Sequence, residues 1–197
     1  MAMPVLSPPP VPDRDLWTVA DLEALPDDGN RYEILHGELL VTPLPSVGHQ
    51  YIAGQLYRRL ANWCHSHTGW AVLAPGGVFV SEATWLEPDI AVYPSAPFAH
   101  RDWRQTPPPV LVVEIASPST ARRDRHRKRP AYLSHGVGEV WTVNEEKRTI
   151  ERWTAASEFP ETHHGSITWA PDATKPALTL DEMELFGPRE SEETRPR

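Results

Sequence analysis

Residues 110–132 read VLVVEIASPSTARRDRHRKRPAY, and the fold turns on how this stretch divides into elements. Val110 to Val113 is a short, β-branched apolar run, the composition of a buried strand. Glu114 then stands where a core would take another valine. Burying a carboxylate costs several kcal/mol unless it is paired or bound to a metal. Ser117-Pro118-Ser119-Thr120 supplies a turn and a helix start. The segment after it carries Arg122, Arg123, Asp124, Arg125, Arg127, Lys128 and Arg129. An acid at the end of a strand beside a dense cationic helix suits a site that processes phosphate.

At 197 residues the chain is most simply one domain over 16–186, between a disordered Pro-rich start (1–15) and a disordered polar tail (187–197). Such a length buries roughly 70% of the unfolded surface. A hydrophobic content of 40% with eight Trp excludes a wholly disordered chain. A net charge of −8 argues against a protein that coats nucleic acid non-specifically. Yet Ala121 to Pro130 carries a local +5, which leaves −13 for the rest, the asymmetry of an anion-binding patch on an acidic body. A solvated helix face is the plainer account of such a run. The single cysteine, Cys64, excludes an intramolecular disulfide and a cysteine-based zinc site. MAMPVLSPPPVP has neither the basic nor the apolar region of a signal peptide, and no run approaches the ~18 apolar residues of a membrane span. The expectation is a cytoplasmic protein without membrane contact.

Along the chain, Thr18 to Asp21 forms a capping box that opens a short helix through Leu25. RYEILHGELLVT (31–42) reads as two short strands meeting at His36-Gly37. Alternation puts Glu33 on the face of Leu35, an odd partner for a solvated acid. Gly48 to His65 is the strongest helix, because Ile52, Leu56, Leu60 and Trp63 follow i, i+4, i+8, i+11. His49 lies in its first turn. Trp70–Ala74 and Val78–Ser81 read as a hairpin around Pro75-Gly76-Gly77. In EPDIAVY (87–93), Pro88 fits only a strand's first residues, which sets Asp89 at the strand's mouth. Trp103 is either core or lid. Gly136 to Gly138 ends the cationic helix, and Glu139–Val143 with Thr149–Trp153 forms a hairpin. Ser166–Trp169 and Leu178–Phe186 add a last strand and a short helix, with His163 and His164 in a loop before them.

Glu33, Asp89 and Glu114 each stand in an apolar context at a strand end, and only a shared sheet can bring them together. Mg²⁺ or Mn²⁺ takes oxygen ligands, usually one or two carboxylates with waters and substrate phosphates. Asp124, Lys128 and Tyr132, spaced i, i+4, i+8, share one helix face, so Lys128 is a candidate cation for the same site. Helix-start amides near Ser119 could hold a phosphate. Plainer accounts exist for each. Asp89 follows a proline and suits a turn; Asp124 and Lys128 suit a surface pair; His49 suits a satisfied helix start; Glu38 competes with Glu33 for its place.

RYEILHGEL, a His at a helix start, EPDIAVY, VVEIASPST, the Asp124–Lys128–Tyr132 series and GVGEVWTV recur in order over Thr18 to Trp153. Together they resemble the Uma-two family of restriction-endonuclease-like proteins, placed in the PD-(D/E)XK nuclease superfamily. The resemblance implies an α/β restriction-endonuclease-like core with a mixed central β-sheet flanked by helices. An extra N-terminal hairpin and C-terminal strands would be added to it. It also implies a Mg²⁺-dependent phosphodiesterase site and a homodimer. By resemblance Asp89 matches the superfamily's aspartate, Glu114 its second acid and Glu33 an upstream acid. The superfamily's strand lysine would fall at Ala116, so Lys128 would be that lysine relocated to the helix. Pro130 predicts a break or kink just after Lys128, at about 3 kcal/mol or more for an interior proline.

The leading expectation is a DNA endonuclease in which Glu33, Asp89, Glu114 and the Ile115 carbonyl hold Mg²⁺, with Mn²⁺ a substitute. Lys128 would act at the transition state and Asp124 would steer it, with His49 and Tyr132 as supporting residues. Arg122, Arg123, Arg125 and Arg127 would hold the DNA backbone. The alternatives are a nuclease-fold protein that binds nucleic acid or a protein partner without cleaving, and a hydrolase of small phosphorylated molecules.

Overall fold

The computed structural model describes residues 15–94, 102–116 and 127–188. The expected disordered ends fall almost wholly outside these residues. So do the Ser117–Thr120 turn and the positions of Arg122, Arg123, Asp124 and Arg125.

The Thr18 backbone N–H and hydroxyl both donate to Asp21 Oδ2 at 2.8 Å, starting α1 (Val19–Leu22). The helix stops three residues short of Leu25, and single turns carry the chain on toward Pro26. β1 (Arg31–Leu35) and β2 (Glu38–Thr42) form the expected hairpin. Its two turn residues, His36 and Gly37, both have positive φ (54° and 81°), as a two-residue turn matched to strand twist requires. Ser46 caps α2 (Val47–Ser66) by accepting from the His49 N–H at 3.1 Å. β3 (Trp70–Leu73), β4 (Val78–Ser81), β5 (Thr84–Leu86) and β6 (Ile90–Pro94) follow. A 3-10 turn at Trp103–Gln105 leads to β7 (Leu111–Ala116) and α3 (Arg129–Ser134). Then come β8 (Glu139–Asn144), β9 (Thr149–Trp153), β10 (Glu161–His164), β11 (Ser166–Trp169), β12 (Leu178–Asp181) and α4 (Glu182–Phe186).

A six-stranded sheet ordered β10-β9-β8-β7-β6-β3 is the centre. It is mixed: β7 runs parallel to β8 and antiparallel to β6. All six residues of β7 are buried, as both faces of a central strand are covered. Leu111, Val113 and Ile115 face Ile52, Leu56 and Leu60 of α2, together with Trp169 and Leu180. Val112 faces Ala131 and Tyr132 of α3 and the smaller sheet, ordered β2-β1-β5-β4. Period-two alternation therefore turns Glu114 toward α3, into the seam between the two sheets. The resulting α/β fold, a mixed sheet flanked by helices with an added hairpin and C-terminal strands, is the expected one. Among the described residues no helix is long and apolar enough to cross a membrane.

The expected β3–β4 hairpin does not form. β3 pairs with β6, while β4 pairs with β5 across Glu82-Ala83, so the two strands lie in different sheets. Pro75-Gly76-Gly77 is instead a crossing point where backbone must pass close to β6. A Cβ on Gly76 would lie 2.5 Å from the Ala91 side chain. The Tyr93 hydroxyl accepts from the Gly77 N–H at 3.2 Å and donates to the Gly77 carbonyl at 2.7 Å. Burial pushes that hydroxyl up to about 12, so it remains a donor throughout the working range. His163 and His164 lie in a strand, β10, rather than a loop; polar ETHH carries no apolar alternation to signal it. Trp103 packs on Trp85 and Tyr93, with ring centroids 5.6 and 6.3 Å away.

Leu56 is fully buried between α2 and the sheet, so Leu56→Ala should lower stability by about 2–5 kcal/mol in urea unfolding. Burial pushes the Cys64 thiol up to about 11. At pH 8 it should therefore react slowly with a disulfide reagent in the folded protein and fully once unfolded; equal rates would contradict the packing.

Candidate active site

Glu33 is carried by the central residue of β1 and is 1% exposed. Its Oε1 accepts from the Glu87 N–H at 2.9 Å. Its Oε2 has no hydrogen-bond partner of good geometry among the described residues, but the Lys128 ammonium lies 2.7 Å away and meets its charge. The same ammonium is 3.3 Å from Glu114 Oε1, which also accepts from the Tyr132 hydroxyl at 2.6 Å. Lys128 thus bridges two buried acids from different sheets, while Tyr132, one helical turn on, fixes the second. Both side chains project from one helix face, as the i, i+4 spacing predicts.

Pro130 does not displace Lys128. Arg127 and Lys128 form a π-type turn that tightens into α3 at Arg129, so the helix changes type just after Lys128, where a break or kink is expected, and Lys128 itself is helical (φ −69°, ψ −44°). Arg127 points elsewhere and pairs with Glu38 on the exposed side of the hairpin. Glu38 is accordingly not part of the buried cluster. Asp124, Arg122, Arg123 and Arg125 lie outside the described residues.

Asp89 precedes β6, at the mouth expected from Pro88. Its Oδ1 accepts both Arg31 guanidinium N–H groups at 3.0 Å. Its Oδ2 accepts from the Ile115 N–H at 2.8 Å and lies 3.1 Å from His49 Nε2. Burial would raise this carboxyl, but the His49 bond, the Arg31 charge and the Ile115 N–H outweigh it and hold the group below the ordinary carboxylate value. Burial likewise opposes the charge on Arg31, and Asp89, Glu114 and Glu33 together overcome it, so the guanidinium is raised. Burial raises Glu87, whose Oε1 accepts from the Trp85 indole at 3.0 Å. Continuing the register Ile90↔Val113 places Asp89 beside Glu114 and Pro88 opposite Ile115. Proline has no N–H to give the Ile115 carbonyl, which leaves that oxygen well placed for a ligand role.

The structure therefore gathers Glu33, Asp89, Glu114 and Lys128 with His49, Tyr132 and the Ile115 backbone. Arg31 and Glu87 belong to the same cluster and were not expected. The signal for Arg31 was present in the sequence: period two places residues 31, 33 and 35 on one strand face, the face on which Glu33 beside Leu35 was already an odd placement for a solvated acid. A cleft of about 500 Å³ opens over Arg31, His49, Glu87 and Asp89, walled by Leu25 and Leu44 among others. His49 Nδ1, buried beside it, has no hydrogen-bond partner among the described residues.

The donor set suits a hard divalent cation: carboxylate oxygens in an apolar frame, with the buried Glu33 Oε2 met, among the described residues, by an ammonium alone. Mg²⁺ needs one or two carboxylates, with water and phosphate completing its shell, and Asp89 with Glu114 meets that count. Among the described residues no three acidic, His or Cys side chains already converge as a ligand set. Arg31 and Lys128 hold the carboxylates in this arrangement.

A family model described as "Uma2: Putative restriction endonuclease" matches residues 19–182. No curated protein matches the sequence. Among solved structures, a "putative nuclease belonging to DUF820" from Anabaena variabilis is similar at 17% identity and a TM-score of 0.69. The match covers 86% of this chain and 97% of that one, which establishes a shared fold.

The depressed Asp89 carboxyl has a pH signature. Its contribution to stability is complete above the unfolded value of about 3.9 and is lost as pH falls through the lower folded value. In melting experiments the gap between the native protein and Asp89→Asn should be widest near neutrality and close below about pH 4. A gap that widens in acid would contradict the Arg31–Asp89–His49 arrangement.

Proposed function

We propose that the chain, which belongs to the Uma2 family, is a Mg²⁺-dependent endonuclease that hydrolyses DNA phosphodiester bonds. One observation carries this reading. Four separate elements deliver Glu33, Asp89, Glu114 and Lys128 to one seam, each at most 8% exposed. A merely structural core has no use for three buried carboxylates, since apolar residues of similar volume serve stability as well or better. Family membership and the nuclease-type fold support a nuclease as the broad class.

In this reading Asp89, Glu114 and the Ile115 carbonyl would hold Mg²⁺, with Glu33 completing the acidic wall. When bound, the ion would supply the Lewis acidity that makes water nucleophilic at neutral pH and offsets charge gathering on the phosphoryl oxygens. Lys128, set between Glu33 and Glu114, would orient the attacking water and place a point charge against the developing oxyanion. Tyr132 holds Glu114 to one position through its short hydrogen bond, and His49 does the same for Asp89. The cleft over Asp89 would admit the backbone phosphate. Arg127 and the neighbouring Arg122, Arg123 and Arg125 would hold flanking phosphates, with Asp124 steering Lys128. In this reading the working unit is a cytoplasmic homodimer, which would present two such clefts to the two strands.

A second reading has an observation of its own. Both Asp89 oxygens are already occupied, by Arg31 on one side and by Ile115 and His49 on the other. A nuclease-fold protein that binds nucleic acid without cleaving it would keep that arrangement.

Plasmid cleavage in Mg²⁺ and Mn²⁺ separates the two readings. Glu114→Gln, folded by circular dichroism, should abolish nicking, and Lys128→Gln should slow it about 10²–10³-fold. Full activity in Glu114→Gln would remove the catalytic assignment. Salt-sensitive DNA binding indifferent to Mg²⁺, with no product from the native protein, would select the non-cleaving binder.

A further inference from the structure

We infer that Arg31 is the resident counter-cation of the proposed metal site: its guanidinium occupies Asp89 until a divalent cation displaces it, which makes Arg31 the residue that sets metal affinity. The inference rests on the carboxylate site proposed above and concerns a residue outside its ligand set.

Among the described residues two cations face the buried acids, and they differ in freedom. Lys128 is enclosed between Glu33 and Glu114, with 5% of its side chain exposed. Arg31 is 21% exposed and lines the cleft of about 500 Å³ together with Asp89. It stands at the first residue of β1, where the strand enters from the loop. Both of its bonds to Asp89 converge on one oxygen, Oδ1, the carboxylate oxygen that neither Ile115 nor His49 contacts in this arrangement. A third bond, 2.8 Å to the Glu87 carbonyl, ties the guanidinium to backbone that does not depend on Asp89. Asp89 lines the cleft, so a cation arriving through it would meet this carboxylate. It would replace the charge that Arg31 supplies, while the Glu87 carbonyl would keep the released guanidinium at the rim.

The charge balance points the same way. Asp89, Glu114 and Glu33 all act on Arg31, so the guanidinium serves the whole acidic group rather than one partner. Among the described residues, removing it would leave Lys128 as the cation beside Glu33, Asp89 and Glu114, with Glu87 close by, an arrangement that favours a second cation. Arg31 therefore keeps the fold intact when no metal is present and competes with the metal when it is.

The test is calorimetric titration of Mn²⁺ into the chelator-stripped full chain, for the native protein, Arg31→Gln, Arg31→Lys and Asp89→Asn, with melting curves in the presence and absence of Mn²⁺. Arg31→Gln should bind about ten- to a hundredfold more tightly than the native protein, the size expected for freeing an oxygen from two charge-assisted bonds. Arg31→Lys, which keeps the charge but gives up the fork, should tighten binding by a smaller factor. Asp89→Asn should lose binding. Arg31→Gln should melt below the native protein without metal, and Mn²⁺ should close that difference. Native binding with no tightening in either Arg31 variant would overturn the inference and leave the metal site standing, as would a melting difference that Mn²⁺ does not change. If Arg31→Gln does not fold, Arg31→Lys decides in the same way. No Mn²⁺ binding by any form would overturn the metal site and this inference together.

Discussion

Ionised carboxylates inside an apolar seam must be neutralised where they stand, and the rest of this architecture follows from that requirement. Glu33, Asp89 and Glu114 are buried rather than in open solvent. Water reaches them poorly, so protein cations and N–H groups take its place. Lys128 reaches two of them only because α3 lies across the second face of the central sheet. Arg31 reaches the third only because the small sheet packs beside the large one. The backbone contributes as well, through the Glu87 and Ile115 N–H groups. Losing one member of such a network costs about 3–5 kcal/mol, because the others are left buried and unpaired. The elements that look like fold decoration, the N-terminal hairpin above all, are therefore parts of the site.

The two faces of the central sheet divide the work. One face meets α2 through Ile52, Leu56 and Leu60 and closes over the tryptophans Trp63, Trp141 and Trp169, an ordinary apolar core. The other carries the charge cluster. β7 belongs to both, with Leu111, Val113 and Ile115 turned one way and Val112 and Glu114 the other. α2 is also shared: its middle packs, while His49 in its capped first turn braces Asp89. A six-residue strand and one helix end thus couple the stability of the core to the geometry of the acids.

Much of this was legible from residue types alone. Glu114 announced itself because an acid interrupted a β-branched run, and Asp89 because Pro88 restricts where its strand can begin. Lys128 and Tyr132 followed from helical spacing. What escaped had physical causes. The Pro75-Gly76-Gly77 signal is the same for a hairpin turn and for a chain pressed against a neighbouring strand, and only the contact with Ala91 and Tyr93 tells them apart. β5 is three residues long, and β10 is polar throughout, so neither offers a period to read. Arg31 was not singled out because its partner, Asp89, is 58 residues away.

The long reach of those contacts has a consequence for how the molecule comes into being. The ion pairs of the cluster join β1 to the start of β6 and to the approach of α3, so each closes a large loop of chain. Contacts of that kind form late, after loop-closure entropy has been met by the packing of α2 and the central strands. A nascent or partly folded chain can therefore have its helix and its sheet and still lack the arrangement of acids. Whatever chemistry the cluster performs belongs to the completed fold alone, which makes folding itself a safeguard.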